Sequence, residues 1–542
     1  MSKNLSLLSG RKGIKDNLFE KLSASDLSPE TLKVLAKEYL IGEANLMGTA
    51  SFYDFLKKEN DAKKVHVCNG TACLLAGTQE QVKVDLGTQF KPEEIGEICC
   101  LGRCHENAAF QLDGKNYSGI NGQDLQTVLA HKSLDTKDEY YVESVSKEAV
   151  LIQPFSGVAQ YYDLFTELYT KPKATILTEI INANLRGRGG AGFPIGLKIE
   201  ACKKALGHQK YIVCNADEGD PGSYTDRYLL EHQPHAVLFG MLVCGYLVGA
   251  DTGILYIRAE YPESVDKIQQ AIFEFEAWSE LHPFDFSFKI IKGAGAYICG
   301  EETALLASIE GQRPEVRIRP PYPTEEGLFG YPTLVNNVET LANLHFILEK
   351  GATLYQTLGT KKSTGTKLIC LDSFFNRPGV YEVEFGMPLS DIIQQLGQGF
   401  KHPVKALHIG GPLGGVVPES KWQDLTLDFE SFYQSGFHLG HASILSIPEQ
   451  FPMIKYLEHL FEFTANESCG KCFPCRLGSQ RGKEMMQQAQ AKKYKINRIL
   501  LDDLLMTLEE GSLCGLGGAL PIPVRNILDY FSEELTTYFK QH

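Results

Sequence analysis

Eight of the fourteen cysteines in this 542-residue chain fall into two ligand-like sets near its opposite ends. One set is Cys68-x4-Cys73 with Cys100-x3-Cys104; the other is Cys469-x2-Cys472-x2-Cys475 with a distant Cys514. Thiolates at such spacings offer four soft ligands to one metal centre, so each end of the chain has a centre of its own to fold around. With a glycine-rich middle between them, the two sets point to a redox chain with a cofactor in between.

The length exceeds what one hydrophobic core organises, and a hydrophobic content of 43% is ample for several cores. Roughly three to five units are expected. No cationic, apolar leader opens the chain, and the longest apolar stretch, around Gly240 to Ala250, falls far short of the roughly 20 residues that span a bilayer. The expectation is a cytoplasmic protein without direct membrane insertion. Cytosolic thiols are kept reduced, which favours metal ligation over a disulfide scaffold. Cys202, Cys214, Cys244 and Cys370 read as buried thiols. A formal charge of -14, with no lysine-rich block to offset it, argues against a nucleic-acid partner.

Residues 26–60 read as helical, because Ser28 supplies a capping hydroxyl before the first-turn Pro29, and Leu32, Val34, Leu35 and Tyr39 follow at helical spacing. Lys64–Val67 is then a short strand delivering Cys68 into a small-residue loop, and Ala108–Leu112 is a strand entering a hairpin at Asp113-Gly114. This small α/β module ends before about 150. From 151 to 350, buried strands such as Tyr211–Cys214 and Ile254–Ile257 alternate with helical runs near 230–249 and 262–278, the pattern of a layered α/β sheet. Short strands punctuated by Arg377-Pro378-Gly379 and by Gly410–Gly415 suggest a β-rich insert over 366–445, and helices carry the second cysteine set from about 450.

Three motifs occupy the middle. Arg186–Pro194 is a glycine-rich loop running into a helix that contains Lys198; glycines let backbone N–H groups approach a phosphate, and a helix N-terminus favours its charge. It lacks the ending of a P-loop, and a plain tight turn is the competing reading. Cys214–Gly222 sets Asn215, Asp217, Glu218 and Asp220 after a buried strand, where they would enter an α/β ligand crevice or form a solvated acidic turn. Gly293–Thr303 joins Tyr297 to the adjacent Glu301 and Glu302; adjacent carboxylates on one strand end do not flank a glycosidic bond, which disfavours a glycosidase. The first cysteine set also fits structural zinc, whereas the tight second set, with Pro474 inside it, favours a 4Fe-4S cluster.

Taken in order, these motifs resemble the NADH-oxidising flavoprotein subunit of complex I and its relatives, fused behind that complex's small thioredoxin-like 2Fe-2S subunit. The resemblance covers most of the chain, including Pro320–Pro323 and Asn336–Thr340. It implies an α/β multidomain fold: an N-terminal helical region (1–60), a thioredoxin-like 2Fe-2S domain (61–150), a Rossmann-like FMN- and NADH-binding domain (151–355), a β-grasp insert (356–447) and a helical 4Fe-4S domain (448–542). It further implies that Gly187, Arg188, Gly189, Lys198, Asn215, Asp217, Glu218, Gly300, Glu301, Asn336 and Asn337 surround FMN. NAD(H) would meet Gly190, Ala191, Phe193, Asp220, Tyr297, Glu302, Arg319 and Tyr322, with Phe193 beneath adenine and Glu302 on the adenosine ribose, repelling a 2'-phosphate. Cys68, Cys73, Cys100 and Cys104 would hold the 2Fe-2S cluster, and Cys469, Cys472, Cys475 and Cys514 the 4Fe-4S cluster.

Hydride would pass directly from nicotinamide to FMN with no catalytic side chain, Glu218 tuning the site, and electrons would leave singly through the clusters. Arg319 stands where the family commonly has lysine, Ile199 where an aromatic is common, and the helical region before Cys68 is short. No ferredoxin-like cysteine run follows Cys514. The fusion most resembles the diaphorase subunit of NAD-dependent bidirectional nickel-iron hydrogenases, which implies an iron-sulfur electron-transfer subunit and a hydrogenase subunit as partners. The flavoprotein of an NAD-dependent formate dehydrogenase and a fused NADH-entry module of complex I are the near alternatives. A zinc-stabilised scaffold without flavin is the alternative of another class.

Overall fold

The computed structural model describes residues 18–119, 127–128, 138–280, 282 and 284–540. Three sheets organise them. The first runs β2-β1-β3-β4, from β1 (Val65–Cys68), β2 (Ile95–Ile98), β3 (Ala109–Leu112) and β4 (Lys115–Ser118). β1 lies parallel to β2 and antiparallel to β3, and the β3–β4 hairpin turns at Asp113-Gly114. β5 (Tyr141–Ser144) leaves this unit altogether: it pairs in parallel with a strand of the insert, so the segment before 150 is physically an edge of the third sheet.

The central sheet is wholly parallel, in the order β8-β7-β6-β9, from β6 (Tyr211–Ala216), β7 (Thr252–Ile257), β8 (Ser287–Lys292) and β9 (Thr333–Asn337). Alternate residues of its strands face opposite layers, as the two-residue period of a strand requires. Ile212, Cys214, Leu255 and Ile257 join the large core that includes the helix Pro234–Val248. Val213, Ile254, Tyr256 and Ile291 face the other way, against Leu18, Phe19, Leu22, Leu35 and Leu46 of the N-terminal helices. Those helices, Leu18–Ser23, Pro29–Glu38 and Glu43–Ala50, thus roof the central sheet. As expected, the Ser28 hydroxyl accepts from the Thr31 N–H at 3.2 Å, with Pro29 in the first turn.

The third sheet, β13-β12-β14-β10-β11-β5, is built from β10 (Thr366–Leu371), β11 (Gly379–Glu384), β12 (Val404–Ile409), β13 (Gly415–Pro418) and β14 (Ile444–Pro448), with β5 on its edge. The buried Glu382 carboxylate on β11 binds the chain entering from the first unit, accepting from the N–H groups of Val150 (2.8 Å), Leu151 (3.0 Å) and Ile152 (3.0 Å). Helices Met453–Glu467, Phe473–Gln490, Arg498–Gly511 and Pro521–Tyr530 complete the chain. Among the described residues no helix is long and apolar enough to cross a membrane.

Candidate functional site

The order of the central sheet fixes the site. The chain runs β6, β7, β8 in one direction and then returns to add β9 on the far side of β6, so β6 and β9 flank a topological switch point, where parallel sheets bind ligands. Asn215 on β6 lies opposite Asn337 on β9, and the 217–224 loop leaves from the end of β6. A cavity of about 310 Å³ opens there. Its walls include Arg188, Gly189, Ala191, Asn215, Asp217, Glu218, Asp220, Tyr297, Gly300, Glu301 and Asn337, which brings together most of the residues expected around the flavin and the nicotinamide.

Two buried oxygens on the cavity wall, Asp217 Oδ2 and Glu301 Oε1, accept no hydrogen bond within the protein, although Arg319 Nη2 lies 3.6 Å from Glu301 Oε1; Asn336 Nδ2 on β9 is likewise without a hydrogen-bond acceptor. Such atoms carry a desolvation cost unless a ligand binds them, so a polar ring system bearing hydroxyls fits this cavity. Burial pushes the Asp217 carboxyl well above its usual range, with Arg258 opposing. Glu301 spends its other oxygen capping the helix Glu302–Ile309, accepting from Thr303 and Ala304 N–H at 2.9 Å each. Gly190, at φ +117°, takes a backbone conformation that a side chain would strain, as the glycine loop requires.

Three residues expected around the flavin, Arg188, Glu218 and Lys198, spend their charged groups on partners within the protein. Arg188 lines the cavity, but its backbone N–H donates to Thr340 Oγ1 (2.9 Å) and its guanidinium turns into the fold to donate to Tyr355 Oη (2.9 Å) and the Thr364 carbonyl (2.8 Å). The Glu218 carboxylate accepts from Ser223 Oγ (2.5 Å), Thr225 Oγ1 (3.1 Å), Asp226 N–H (2.9 Å) and Arg227 N–H (3.0 Å), so it ties its own loop together. Lys198 Nζ sits 2.8 Å from Glu302 Oε2, and Arg319 Nη1 is 3.0 Å from Glu302 Oε1. Burial opposes ionisation of Glu302, yet Lys198 and then Arg319 outweigh it and hold the carboxyl below its usual range. Phe193 and Tyr322, 55% and 53% exposed, leave aromatic faces open outside the cavity.

The cavity also has walls that the motifs did not announce. His441, from the loop before β14, reaches Asp220 Oδ2 at 3.1 Å, while Tyr297 Oη donates to Asp220 Oδ1 at 2.8 Å. Burial opposes charge on Asp220, but His441 and Tyr297 hold its carboxyl below the usual range. Leu413, Asp226 and Glu339 line the same space, as do Cys514, Gly515 and Leu516. No local signal marks His441; Leu413 and Cys514 lie in motifs that read as a turn and a cluster ligand.

Both cysteine sets assemble. Cys68, Cys73, Cys100 and Cys104 are all buried, and the Sγ atoms of Cys100 and Cys104 are 3.4 Å apart. A Cβ at Gly70 would lie 3.4 Å from Cys68 Sγ and 3.6 Å from Cys100 Sγ, so the glycine leaves the thiol cradle open. Cys469 and Cys475 share an apolar cluster with Phe463 and Leu516, against which the half-buried Cys472 and Cys514 pack. Cys202, Cys214, Cys244 and Cys370 are buried thiols, as expected. His105, Glu106 and Asp138 also converge, but Arg103 and Arg227 already neutralise the carboxylates.

The chain is similar to known proteins along most of its length. Residues 180–345 match the Nuo51 FMN-binding domain, residues 455–538 the NADH-ubiquinone oxidoreductase-F iron-sulfur binding region, and residues 21–133 the thioredoxin-like 2Fe-2S ferredoxin. An NADH-quinone oxidoreductase subunit of Rhizobium meliloti (strain 1021) is 37% identical over 68% of this chain and 89% of its own length. The NAD-reducing hydrogenase HoxS subunit alpha of Cupriavidus necator is 32% identical over 90% of this chain and 85% of its own. An NAD+-reducing NiFe-hydrogenase solved in its H2-reduced state contains a chain that superposes with a TM-score of 0.85 at 28% identity, covering 96% of this chain and 91% of that one. Fold and site thus define an NAD-dependent flavin and iron-sulfur oxidoreductase subunit, with an FMN-binding domain, a 4Fe-4S region and a 2Fe-2S domain. The chain belongs to the family of complex I 51K-type FMN/NADH subunits, here fused to a thioredoxin-like 2Fe-2S domain.

Proposed function

We propose that the chain is the diaphorase subunit of a cytoplasmic NAD-reducing nickel-iron hydrogenase, exchanging hydride with NAD(H) and single electrons with an iron-sulfur partner subunit. The observation that carries this reading is correspondence along nearly the whole chain. The hydrogenase relative aligns over 90% of the chain, N-terminal cysteine set included, whereas the NADH-quinone oxidoreductase relative aligns over 68%. The five units with limits near 60, 150, 355 and 447, and the β-grasp character of the insert, belong to the same reading.

The assignment of residues follows from what each offers. Asn215, Asp217, Gly300, Glu301, Asn336 and Asn337 would hold FMN, the oxygens and amide that lack hydrogen-bond partners taking its polar atoms, with Gly187, Arg188 and Gly189 toward its phosphate. When bound, the flavin accepts hydride and converts two-electron into one-electron transfer. Gly190, Ala191 and Phe193 would carry NADH on the open side of the pocket, with Tyr322 and the Glu302–Arg319 pair at its outer end. Asp220, fixed between Tyr297 and His441, orients the nicotinamide end. Lys198, expected at the flavin phosphate, is held by Glu302 on the NADH side. Cys514, on the pocket wall, makes the C-terminal cluster the exit for electrons.

Anaerobic purification from the native host, with metal and flavin quantitation and mass spectrometry of co-purifying subunits, tests the reading. About one FMN and about six irons in this chain, beside a nickel-bearing partner, are expected. Molybdenum in the partner would reassign the chain to a formate dehydrogenase, quinone-reducing membrane subunits to complex I, and zinc without flavin would overturn the redox reading.

A further inference from the structure

Arg258 follows the last residue of β7 and is 3% exposed. Its Nη1 donates to the Glu218 carbonyl at 2.7 Å, and its Nη2 donates to the Cys99 carbonyl at 2.8 Å and to Glu260 Oε1 at 2.8 Å. Glu218 opens the loop that walls the flavin cavity, and Cys99 immediately precedes the ligand Cys100. One buried cation therefore spans the flavin-pocket loop and the cysteine loop. The flavin-binding domain sends two more donors to the same place: Arg227 Nη1 to the Gly102 carbonyl at 2.8 Å and the Gly222 N–H to Cys104 Sγ at 3.3 Å. The cysteine loop's own contribution is a long contact from the Gly102 N–H to Cys100 Sγ, at 3.5 Å.

We propose that Arg258 is a positioning residue that sets the reduction potential of the 2Fe-2S centre, so that the flavin-binding domain supplies the electrostatic environment of a cluster held by another domain. Reduction of the centre adds one electron and therefore one negative charge, with no bond made or broken. In a site closed to water, a fixed positive charge beside the ligand loop favours that reduced form, and outer hydrogen bonds tune clusters in the same way. Glu260 is 3% exposed and offsets part of the Arg258 charge. Removing the arginine therefore strips away a cation and strands a buried carboxylate, and both changes disfavour the reduced centre. The inference rests on the four cysteines as a 2Fe-2S site and holds whichever partner the chain serves.

The test is an EPR-monitored redox titration of the full-length, cluster-loaded protein, in which the 4Fe-4S potential serves as an internal reference. Arg258→Gln is expected to shift the 2Fe-2S equilibrium at least tenfold toward the oxidised form, about 59 mV downward for one electron. Glu260→Gln, which leaves the guanidinium uncompensated, is expected to shift it upward, and Arg258→Lys, which keeps the charge, to shift it less than Arg258→Gln. A purely structural role would not produce shifts of opposite sign from two neighbouring residues. An Arg258→Gln protein that keeps its 2Fe-2S signal at the wild-type potential overturns the proposal. Should that variant fail to assemble the centre, Glu260→Gln decides alone: an upward shift supports the proposal and an unchanged potential overturns it.

Discussion

The two cysteine sets sit in opposite surroundings. The first is enclosed: its four thiols are buried, its loop carbonyls are bound by Arg258, Arg227 and the Ser373 N–H (3.1 Å to Cys104 O), and none of its cysteines lines the flavin cavity. The second is open on two sides. Cys514 forms part of the cavity wall, and Phe473, Leu477 and Leu513 stand 67%, 56% and 38% exposed beside the half-buried Cys472 and Cys514. An electron centre with one face on the cofactor pocket and another on the surface suits through-traffic. The first set, its four thiols buried, has no face on that cavity.

Four substitutions would break or sharpen that contrast. Cys472→Ser has the largest expected effect: flavin stays bound and NADH-to-dye reduction partly survives, while transfer to the partner falls by at least roughly 100-fold, the upper end of what even an outer-shell change costs. Loss of flavin as well would assign the cysteine to folding instead. Cys100→Ser should abolish the 2Fe-2S EPR signal yet slow onward transfer by less than about tenfold, in the range of an indirect perturbation; an equal loss in both variants would erase the distinction between the sets.

Glu302→Ala addresses the open side of the pocket. Removing this carboxylate should relax discrimination against NADPH by about tenfold, roughly 1.4 kcal/mol, in the ratio of the two kcat/KM values. Lys198 and Arg319 already hold its charge, which keeps the effect below that of a bare carboxylate. An unchanged ratio would move discrimination elsewhere.

The smallest effect is expected at the enclosure of the first set. Asp372 precedes Ser373, and burial, against hydrogen bonds from Ser446 and Phe374, pushes its carboxyl up to about 7. A folded value above the unfolded one, about 3.9, means that the fold favours the protonated form. Its contribution to stability is complete below about pH 4 and is lost as pH rises through 7. From pH 6 to 8 the wild type should lose on the order of 1 kcal/mol relative to Asp372→Asn. Chemical denaturation followed through Trp422 fluorescence in the insert reads this difference, and parallel pH curves for the two proteins would refute it.

Much of the architecture was legible because it is local. A capping Ser28 before Pro29, short apolar strands ending in glycine-rich loops and a hairpin at Asp113-Gly114 are each decided by a few neighbouring residues. Less local assignments shifted. The segment around β5 follows the first module in sequence, yet its backbone groups found partners on β11. The N-terminal helices present an amphipathic face in any setting, and nothing in their pattern names the central sheet as the surface they cover.

The sequence alone determined which residue types fall together: which thiols share short spacings, where the glycines gather and which strand end carries the acidic residues. Those depend on residue type and short spacing. Only the tertiary structure decided how each charge is used. It turned Arg188 inward, spent Glu218 on its own loop, paired Glu302 with two cations and brought His441 to Asp220 from a distant loop. It also set Arg258 between two cofactor loops. A buried charge must find a partner wherever the fold offers one, and that partner is chosen by distance in space, which spacing along the chain does not record.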